Sequence, residues 1–471
     1  MLIMKNGYLF VSFLFISVSA VAQIINIPDA SFKAQLLAAS NVSDIAKNSF
    51  GQGIKIDVNN NGEIEQSEVL GVVELNIYAY ILINPGNITS LEGIQYFSNL
   101  KRLNCWGNHI TSIDLTGLNA LEELNCFNNQ ITSINFATAN QLKVVSCYNN
   151  LLTNLNTTIL GNVETLFVHD NNLTNLDVSH LGNLQSLNIS NNNFGSLDVT
   201  SLSNLKYLVC SNCHLTSLLI HDITSLEELV CDGNQLTNLN LNGLSNVNYM
   251  IADGNSISSL DLSPLTSIAQ LELIGNPLTS LNVNGLTTLG LLSISDTPIT
   301  SIDCSNTGVA QLFAANCPNL QTINVRNGIY FFSDPDLLDF AFRIYNVPSL
   351  VSICTDDGEQ NQLAYFNYNT SGNVVVYNGA NCDIPVQVNM GVNDVTKQHI
   401  TLYPNPAKDI LNIAISDNQS IIKTTINNIL GQTLMTFENT TTLDISPLTK
   451  GTYLITVETD KGKEIQKIIK L

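Results

Sequence analysis

The chain has 471 residues, and 18 Lys and Arg against 39 Asp and Glu leave a net charge of −21. Charged residues make up 12% of the chain, about half of the ~25% usual for a soluble domain. So acidic a balance excludes the basic surface that nucleic-acid binding requires, and the abundant Leu and Ile exclude a disordered chain.

Residues 1–22 read as a signal peptide. Lys5 supplies the positive start, an apolar stretch over residues 8–18 follows, and small Ala20 and Ala22 precede an expected cleavage before Gln23. That stretch is shorter than the ~20 residues needed to span a bilayer, so no transmembrane segment is expected in the mature chain.

Residues 23–70 form an expected N-terminal cap. Within it, residues 57–68 read DVNNNGEIEQSE and follow an EF-hand calcium loop. Asp57, Asn59 and Asn61 stand at positions 1, 3 and 5, Glu63 offers its carbonyl at position 7, and Glu68 stands at the bidentate position 12. Gly62 supplies the sharp turn and Ile64 the apolar position between them. Oxygen ligands so spaced can wrap one hard cation, so one structural calcium is expected, weakened by Asn in place of Asp. The bland alternative is a polar turn.

Residues 71–327 carry an internal repeat. Asn108, Asn129, Asn150, Asn171 and Asn192 recur every 21 residues, followed in register by Cys213, Asn234, Asn255, Asn276 and Thr297, and then Cys317. The pattern LxxLxCxxNxLTSLDLxxL, with two strand-like runs per turn, resembles the leucine-rich repeat family. Listeria-type internalins and many secreted Bacteroidetes repeat proteins have similar spacing. The resemblance implies a β-rich solenoid of about eleven 21-residue repeats with N- and C-terminal caps. One repeat cannot bury its own apolar face, so stacking builds the core. Leu and Ile point inward, and the Asn amide can satisfy backbone groups at each corner. Cys105, Cys126 and Cys147 read as stacked core thiols. Cys210, Cys213 and His214 spell CxxCH, but the register assigns Cys210 to the inward strand position, Cys213 to the corner and His214 to the free position after it, so no haem is expected.

Outward positions carry any recognition. Trp106, Phe127, Tyr148 and His169 occupy one slot in successive repeats, with Phe167 and Tyr207 at nearby outward positions. At strand spacing they should form an aromatic stripe able to bind a protein or glycan; the alternative is ladder stabilisation by cross-strand stacking. A threonine series from Thr111 to Thr300 reads as a second ladder, with an ice-associated surface as the remote alternative.

Residues 328–384 form the expected C-terminal cap, with a short helix over DPDLLDFAFRIY (residues 334–345) and a candidate disulfide between Cys354 and Cys382. A linker over residues 385–398 follows. Residues 23–396 hold nine basic and 32 acidic residues, a net −23, whereas the segment from Lys397 is near neutral.

Residues 399–471 alternate apolar and polar positions between turns, which predicts a small all-β sandwich of five to seven strands, immunoglobulin-like. At Tyr403-Pro404-Asn405-Pro406, Leu411-Asn412-Ile413, Gly451-Thr452-Tyr453 and Lys467-Ile468-Ile469-Lys470 this segment resembles the type A C-terminal sorting domain of the Bacteroidetes type IX secretion system. The resemblance implies engagement of that machinery, and a secreted or cell-surface destination. No HExxH, GxSxG or phosphate-binding glycine loop occurs, so a non-enzymatic binding protein, with adhesion as one form of that binding, is the reading of the whole. The alternatives are a purely structural or ice-associated surface protein, and an enzyme with a site around Cys354-Thr355-Asp356-Asp357.

Overall fold

The computed structural model describes residues 23–79, 86–329, 342–357, 374–378, 385–386, 400–415, 420–428, 432–460 and 462–471. The expected signal peptide, the expected linker beyond Val386 and Cys382 lie outside the described residues. The chain divides into two units, Met1–Met390 and Gly391–Leu471.

In the first unit the cap opens with a helix, Ala30–Leu37, whose N-terminus is capped by Asp29 accepting from Phe32 N at 2.9 Å. The other Asp29 oxygen accepts from Thr89 N, at 2.8 Å, and from Ser90 N, so one side chain starts the helix and joins it to the first repeat. The strand Ala46–Lys47 then pairs antiparallel with Glu74–Asn76 and seeds a 14-stranded sheet. Its other pairs are parallel, from Glu74–Asn76 against Arg102–Asn104 through to Gln311–Phe313 against Phe342–Arg343.

Each turn of this solenoid follows from two positions in the repeat. The first is the corner Asn. Asn150 Nδ2 donates to Cys126 O at 3.1 Å, Cys147 O at 3.1 Å and Tyr148 O at 3.2 Å, while its Oδ1 accepts from Ile131 N at 2.9 Å. One amide thus closes the bend of its own repeat and fastens the preceding one. Where Cys213 replaces Asn, its thiol donates to Ile189 O at 3.2 Å and Ser211 O at 3.4 Å. The second position is the residue before the corner, where the chain takes a left-handed conformation. Asn128, Asn149, Asp170, Asn191 and Asn212 all have φ between 52° and 55° there. That region is open to Asn and Asp because their short side chains bond locally, and later repeats use Gly233, Gly254 and Gly275.

The inward residues of successive repeats merge into one core running from Ile25 to Val374. Cys105, Cys126, Cys147, Cys210, Cys213 and Cys231 all lie within it, fully buried and free. Burial pushes the Cys105 and Cys147 thiols up to about 12, so they behave as small hydrophobes.

The second run of each repeat forms only broken ladders. Ser112–Asp114 pairs with Ser133–Asn135, Ser196–Asp198 pairs with Ser217–Leu219, and a five-stranded sheet starts at Ser301–Asp303. Its ends carry a competing local bond. Asp198 Oδ1 accepts from Thr200 N at 3.0 Å and Thr200 Oγ1 at 2.7 Å, and Asp177 does the same for Ser179 in a repeat whose second run is not a strand. Such Asx turns offer the backbone an alternative to the ladder.

Toward the C-terminus the helix expected over residues 334–345 ends differently. Phe342–Arg343 is a strand that continues the main sheet, paired with Leu312 and Phe313, and residues 330–341 lie outside the described residues. The apolar residues there are set by the repeat, because Ile344 and Val347 are buried in the same core. The step has merely lengthened to 30 residues, with Asn346 Nδ2 donating to Asn316 Oδ1 at 2.8 Å. Likewise Pro385–Val386, at the start of the expected linker, pairs antiparallel with Val376 and Tyr377.

Among its described residues the second unit is a seven-stranded antiparallel β-sandwich. Ile400–Tyr403, Ile410–Ile415 and Thr442–Asp444 form one sheet, and Thr433–Glu438, Ile421–Asn427, Gly451–Thr459 and Gly462–Lys470 form the other. Leu411 and Ile413 from the first meet Ile426, Ile455 and Ile468 from the second in one core. Tyr453 OH donates back to Thr449 O at 2.8 Å, the tyrosine-corner arrangement of immunoglobulin-like sandwiches.

Candidate functional site

On the outer face of the main sheet, side chains alternate outward in three rows, headed by Arg102, Asn104 and Trp106. The Trp106 row is a continuous stack of rings. Tyr78 and Trp106 lie 4.8 Å apart between centroids, Trp106 and Phe127 5.2 Å, Phe127 and Tyr148 4.5 Å, and Tyr148 and His169 4.2 Å, with interplanar angles from 1° to 11°. Phe167, from the neighbouring row, meets His169 edge-on at 6.4 Å. The rings are half-buried. Their faces are spent on each other, so the stripe offers solvent a row of ring edges. Tyr207 belongs to the Arg102 row and stands apart from the stack, 37% exposed, with its hydroxyl donating to Glu227 Oε2 at 3.4 Å.

Tyr78 is a member that the 21-residue register misses, because the step from Asn76 to its partner Asn104 is 28 residues. Its signal was present as an aromatic two residues after an outward Asn. Beside the stack, Asn125 Nδ2 donates to Asn104 Oδ1 at 2.7 Å and Asn104 Nδ2 to Asn76 Oδ1 at 2.6 Å. This amide row ends on Glu74, which also receives Lys47 Nζ at 2.8 Å and Arg102 Nε at 2.9 Å. Burial pushes the Glu74 carboxyl up, but the bonds from Lys47, Asn76 and Arg102 outweigh it and hold the group at about 2.

Farther along, the Trp106 row turns acidic. Asp232 Oδ1 accepts from Ser211 Oγ at 2.5 Å, and Asp253 Oδ1 accepts from Ile274 N at 2.7 Å. Burial, opposed by the Ile274 N–H and reinforced by Glu272 and Asp232, raises the Asp253 carboxyl to about 6. His169 moves the other way: desolvation lowers it, against the pull of Asp170, and its Nδ1 is buried without a hydrogen-bond partner. A ladder of neutral rings therefore gives way, along one face, to a ladder of carboxyls.

The cap loop has the backbone of a cation loop. Asp57 Oδ1 accepts from Asn61 N at 3.1 Å and its Oδ2 from Gly62 N at 3.2 Å. Asn59 Oδ1 accepts from Asn61 N at 2.9 Å, and Asn61 Oδ1 from Glu63 N at 2.8 Å. Gly62 turns at φ 78° and Ile64 is fully buried. Glu68 Oε1 accepts from Val58 N at 2.8 Å, and Glu68 Oε2 from Glu65 N at 3.1 Å. Glu63 reaches out of the loop to Lys33 Nζ at 2.7 Å. Glu65, which sequence spacing passed over, is 3% exposed and turns its carboxyl into the loop, where Oε1 accepts from Asn61 Nδ2 at 2.6 Å and Asn59 Nδ2 at 3.2 Å. Its other oxygen is buried beside Glu68, with which the Glu65 side chain makes a reciprocal capping box. The Glu65 and Glu68 carboxyls face each other; contact with Glu68 lowers Glu65, and burial followed by that contact raises Glu68. Among the described residues no three His, Cys, Asp or Glu side chains form a metal-holding group, and half of the loop's oxygen set is amide.

Of the remaining candidates, Cys354 is disulfide-bonded, and Cys382, its expected partner, lies outside the described residues. Asp356 Oδ2 accepts from Gly328 N at 2.7 Å and Asn327 N at 3.1 Å, so it holds a turn. Thr132 Oγ1 and Thr216 Oγ1 donate to the carbonyls of Thr111 and Gly195 in the preceding repeats. In the sandwich, Tyr403, Pro404, Asn405 and Pro406 are exposed, and Asn405 joins the two ends of the domain: Nδ2 donates to Lys467 O and Oδ1 accepts from Ile469 N, both at 2.9 Å. Among the described residues no helix is long and apolar enough to cross a membrane.

Comparison with known proteins agrees with this division. The secretion system C-terminal sorting domain family matches residues 401–471, and the family of leucine rich repeats in two copies matches residues 98–138. No curated protein matches the chain. The functional domain of InlJ from Listeria monocytogenes, described as including a cysteine ladder, has a similar structure: TM-score 0.59, 21% identity, covering 95% of this chain and 98% of that one. An internalin, InlF, from Listeria monocytogenes gives 0.50 at 22% identity, covering 77% of this chain and 99% of that one. At these identities the likeness shows the fold.

Proposed function

We propose that this exported, internalin-like leucine-rich repeat protein is a non-catalytic recognition protein that holds a protein partner on the outer face of its main sheet, at or beyond the cell surface. The observation that carries the reading is the five-ring stack from Tyr78 to His169, set on an open sheet face in a chain with a secretion sorting domain. A structural ladder alone does not require rings, since the same row continues with Ser190, Ser211 and Asp232 without losing strand pairing. A glycan is the second class of ligand. Sugars pack on ring faces, whereas here the faces are covered and the edges are presented, which favours apolar and amide groups of a protein.

The sorting domain supports delivery by the type IX secretion machinery, with release or surface attachment as the two ends of that route. An ice-associated role has weaker support, because the hydroxyls of Thr132, Thr216 and Thr300 in the second ladder are engaged with backbone carbonyls. A cysteine-based enzyme loses its nucleophile to the Cys354 disulfide.

The test uses the full chain against arrays of surface proteins and of glycans. Trp106 is the single Trp of the sequence, so its emission should shift on binding. Replacing Trp106 and Tyr148 together by Ala should remove at least about 2 kcal/mol of affinity, as for central hot-spot residues. Full binding by that double variant refutes the site, and selective binding of glycans moves the reading to the second class.

A further inference from the structure

We propose that the solenoid carries a separate binding site, a cleft between the repeats of Leu176 and Leu197, and that it takes a terminal neutral sugar unit of a glycan. The cleft lies on the second run of the repeat, outside the ring row of the main sheet, and does not rest on the recognition reading. It encloses about 360 Å³, near the lower end of the range for small-ligand sites, which suits one sugar unit better than a long chain.

The opening follows from one position. The slot held by Thr111, Thr132, Thr153 and Thr174, and again by Thr216, is glycine at Gly195. At other steps this slot keeps the runs together: Thr132 N donates to Thr111 O at 2.9 Å, and Thr216 N to Gly195 O at 2.8 Å. Gly195 takes φ 72°, and its own N–H turns to Cys213 O of the following repeat. Open space lies where a side chain would stand. Among the described residues no backbone hydrogen bond joins residues 174–177 to residues 195–198.

The lining decides the ligand. Val178, Phe194 and Leu197, all buried, make an apolar floor. Around it stand Thr174, Asn175 and Ser196 with two carboxylates, Asp177 and Asp198, all exposed. The two Asp fill one slot in successive repeats. Where that slot holds Asp114 and then Asn135, the Asn amide donates to the carboxylate at 2.9 Å. Two carboxylates can only accept, so their donors come from outside the chain. Bonds from Ser179 and Thr200 hold both groups below the usual carboxylate range, and no Lys, Arg or His lines the cleft, which excludes an anionic ligand. An alkylammonium would serve the carboxylates alone. Vicinal hydroxyls donate to the carboxylates and exchange hydrogen bonds with Thr174, Asn175 and Ser196, while the C–H face of the ring covers the floor.

The test is saturation-transfer NMR of the full chain with methyl glucoside, methyl galactoside and methyl mannoside, with glucuronate and cadaverine as counter-probes. At least one glycoside should receive saturation, and the charged probes should receive less. Asp198→Asn recreates the pair found at Asp114 and Asn135, so it keeps the fold and should weaken the best glycoside by about tenfold or more, the loss expected for hydrogen bonds to a charged group. The double variant Trp106→Ala, Tyr148→Ala should bind that glycoside as wild type does. Silence from all three glycosides overturns the site, as does undiminished binding by Asp198→Asn. Equal or stronger binding of cadaverine or glucuronate overturns the ligand class, and loss of the sugar in the double variant moves it to the ring stack and overturns the cleft. Failure of the recognition reading shows instead as a protein partner that the double variant still holds, so the two readings fail independently.

Discussion

Replacing Asn150 by Ala tests the corner on which the solenoid rests. The substitution deletes three donations, to Cys126 O, Cys147 O and Tyr148 O, and one acceptance, from Ile131 N. Asn150 is 5% exposed, so water does not replace these partners freely. The two amide hydrogens are shared among the three carbonyls, so at a net ~1 kcal/mol per hydrogen bond the loss is about 3 kcal/mol, and the groups left unpaired on the core side of the bend push it higher. With a urea m-value above ~3 kcal/mol/M for a chain of this size, the unfolding midpoint should fall by roughly 1 M. Asn150→Cys should cost less than Ala, because a thiol at the equivalent Cys213 position still donates to two carbonyls. Urea unfolding followed by circular dichroism measures all three chains. A midpoint drop below about 0.2 M for Ala, or a Cys variant no better than Ala, would refute the argument that corner amides hold the repeats together.

Two carboxyls give opposite pH signatures. Glu74 is held at about 2, below its ordinary value, so its stabilisation is present above about 4.5 and is lost as pH falls toward 2; Glu74→Gln should lower stability at pH 7 by roughly 2 kcal/mol and shrink the acid-induced loss, read from unfolding at pH 7 and pH 3. Asp253 is raised to about 6, so relative stability is full below about 4 and declines as pH rises through 6. Asp253→Asn keeps an acceptor for Ile274 N and should stabilise the chain at pH 8 while leaving it unchanged at pH 4; equal effects at both values would show that Asp253 is not strained by burial.

The sequence by itself determined the register. A 21-residue period of Leu and Ile, a small polar corner and Asn, Asp or Gly before it leave one economical solution, because each of those positions has a steric or hydrogen-bonding requirement that few residues meet. The inward cysteines and the sandwich of the sorting segment were legible for the same reason. Departures from the period were not. The 28-residue step that admits Tyr78 to the stack and the 30-residue step that turns Phe342–Arg343 into strand are decided by which strand edge the chain reaches after a longer excursion, and periodicity carries no information about that.

The outward side chains needed tertiary structure most. Spacing placed Trp106, Phe127, Tyr148 and His169 on one face, but only the near-parallel stacking of neighbouring strands showed that their faces are covered and their edges free. In the cap, loop spacing selected Asp57, Asn59, Asn61 and Glu68 by position along the chain. Glu65, 3% exposed and bridged to Ile24, lies inward beside them, which the loop pattern did not show. Local pattern fixes which residues a backbone can accommodate, whereas burial and the partners of a polar atom are set by segments far away in sequence.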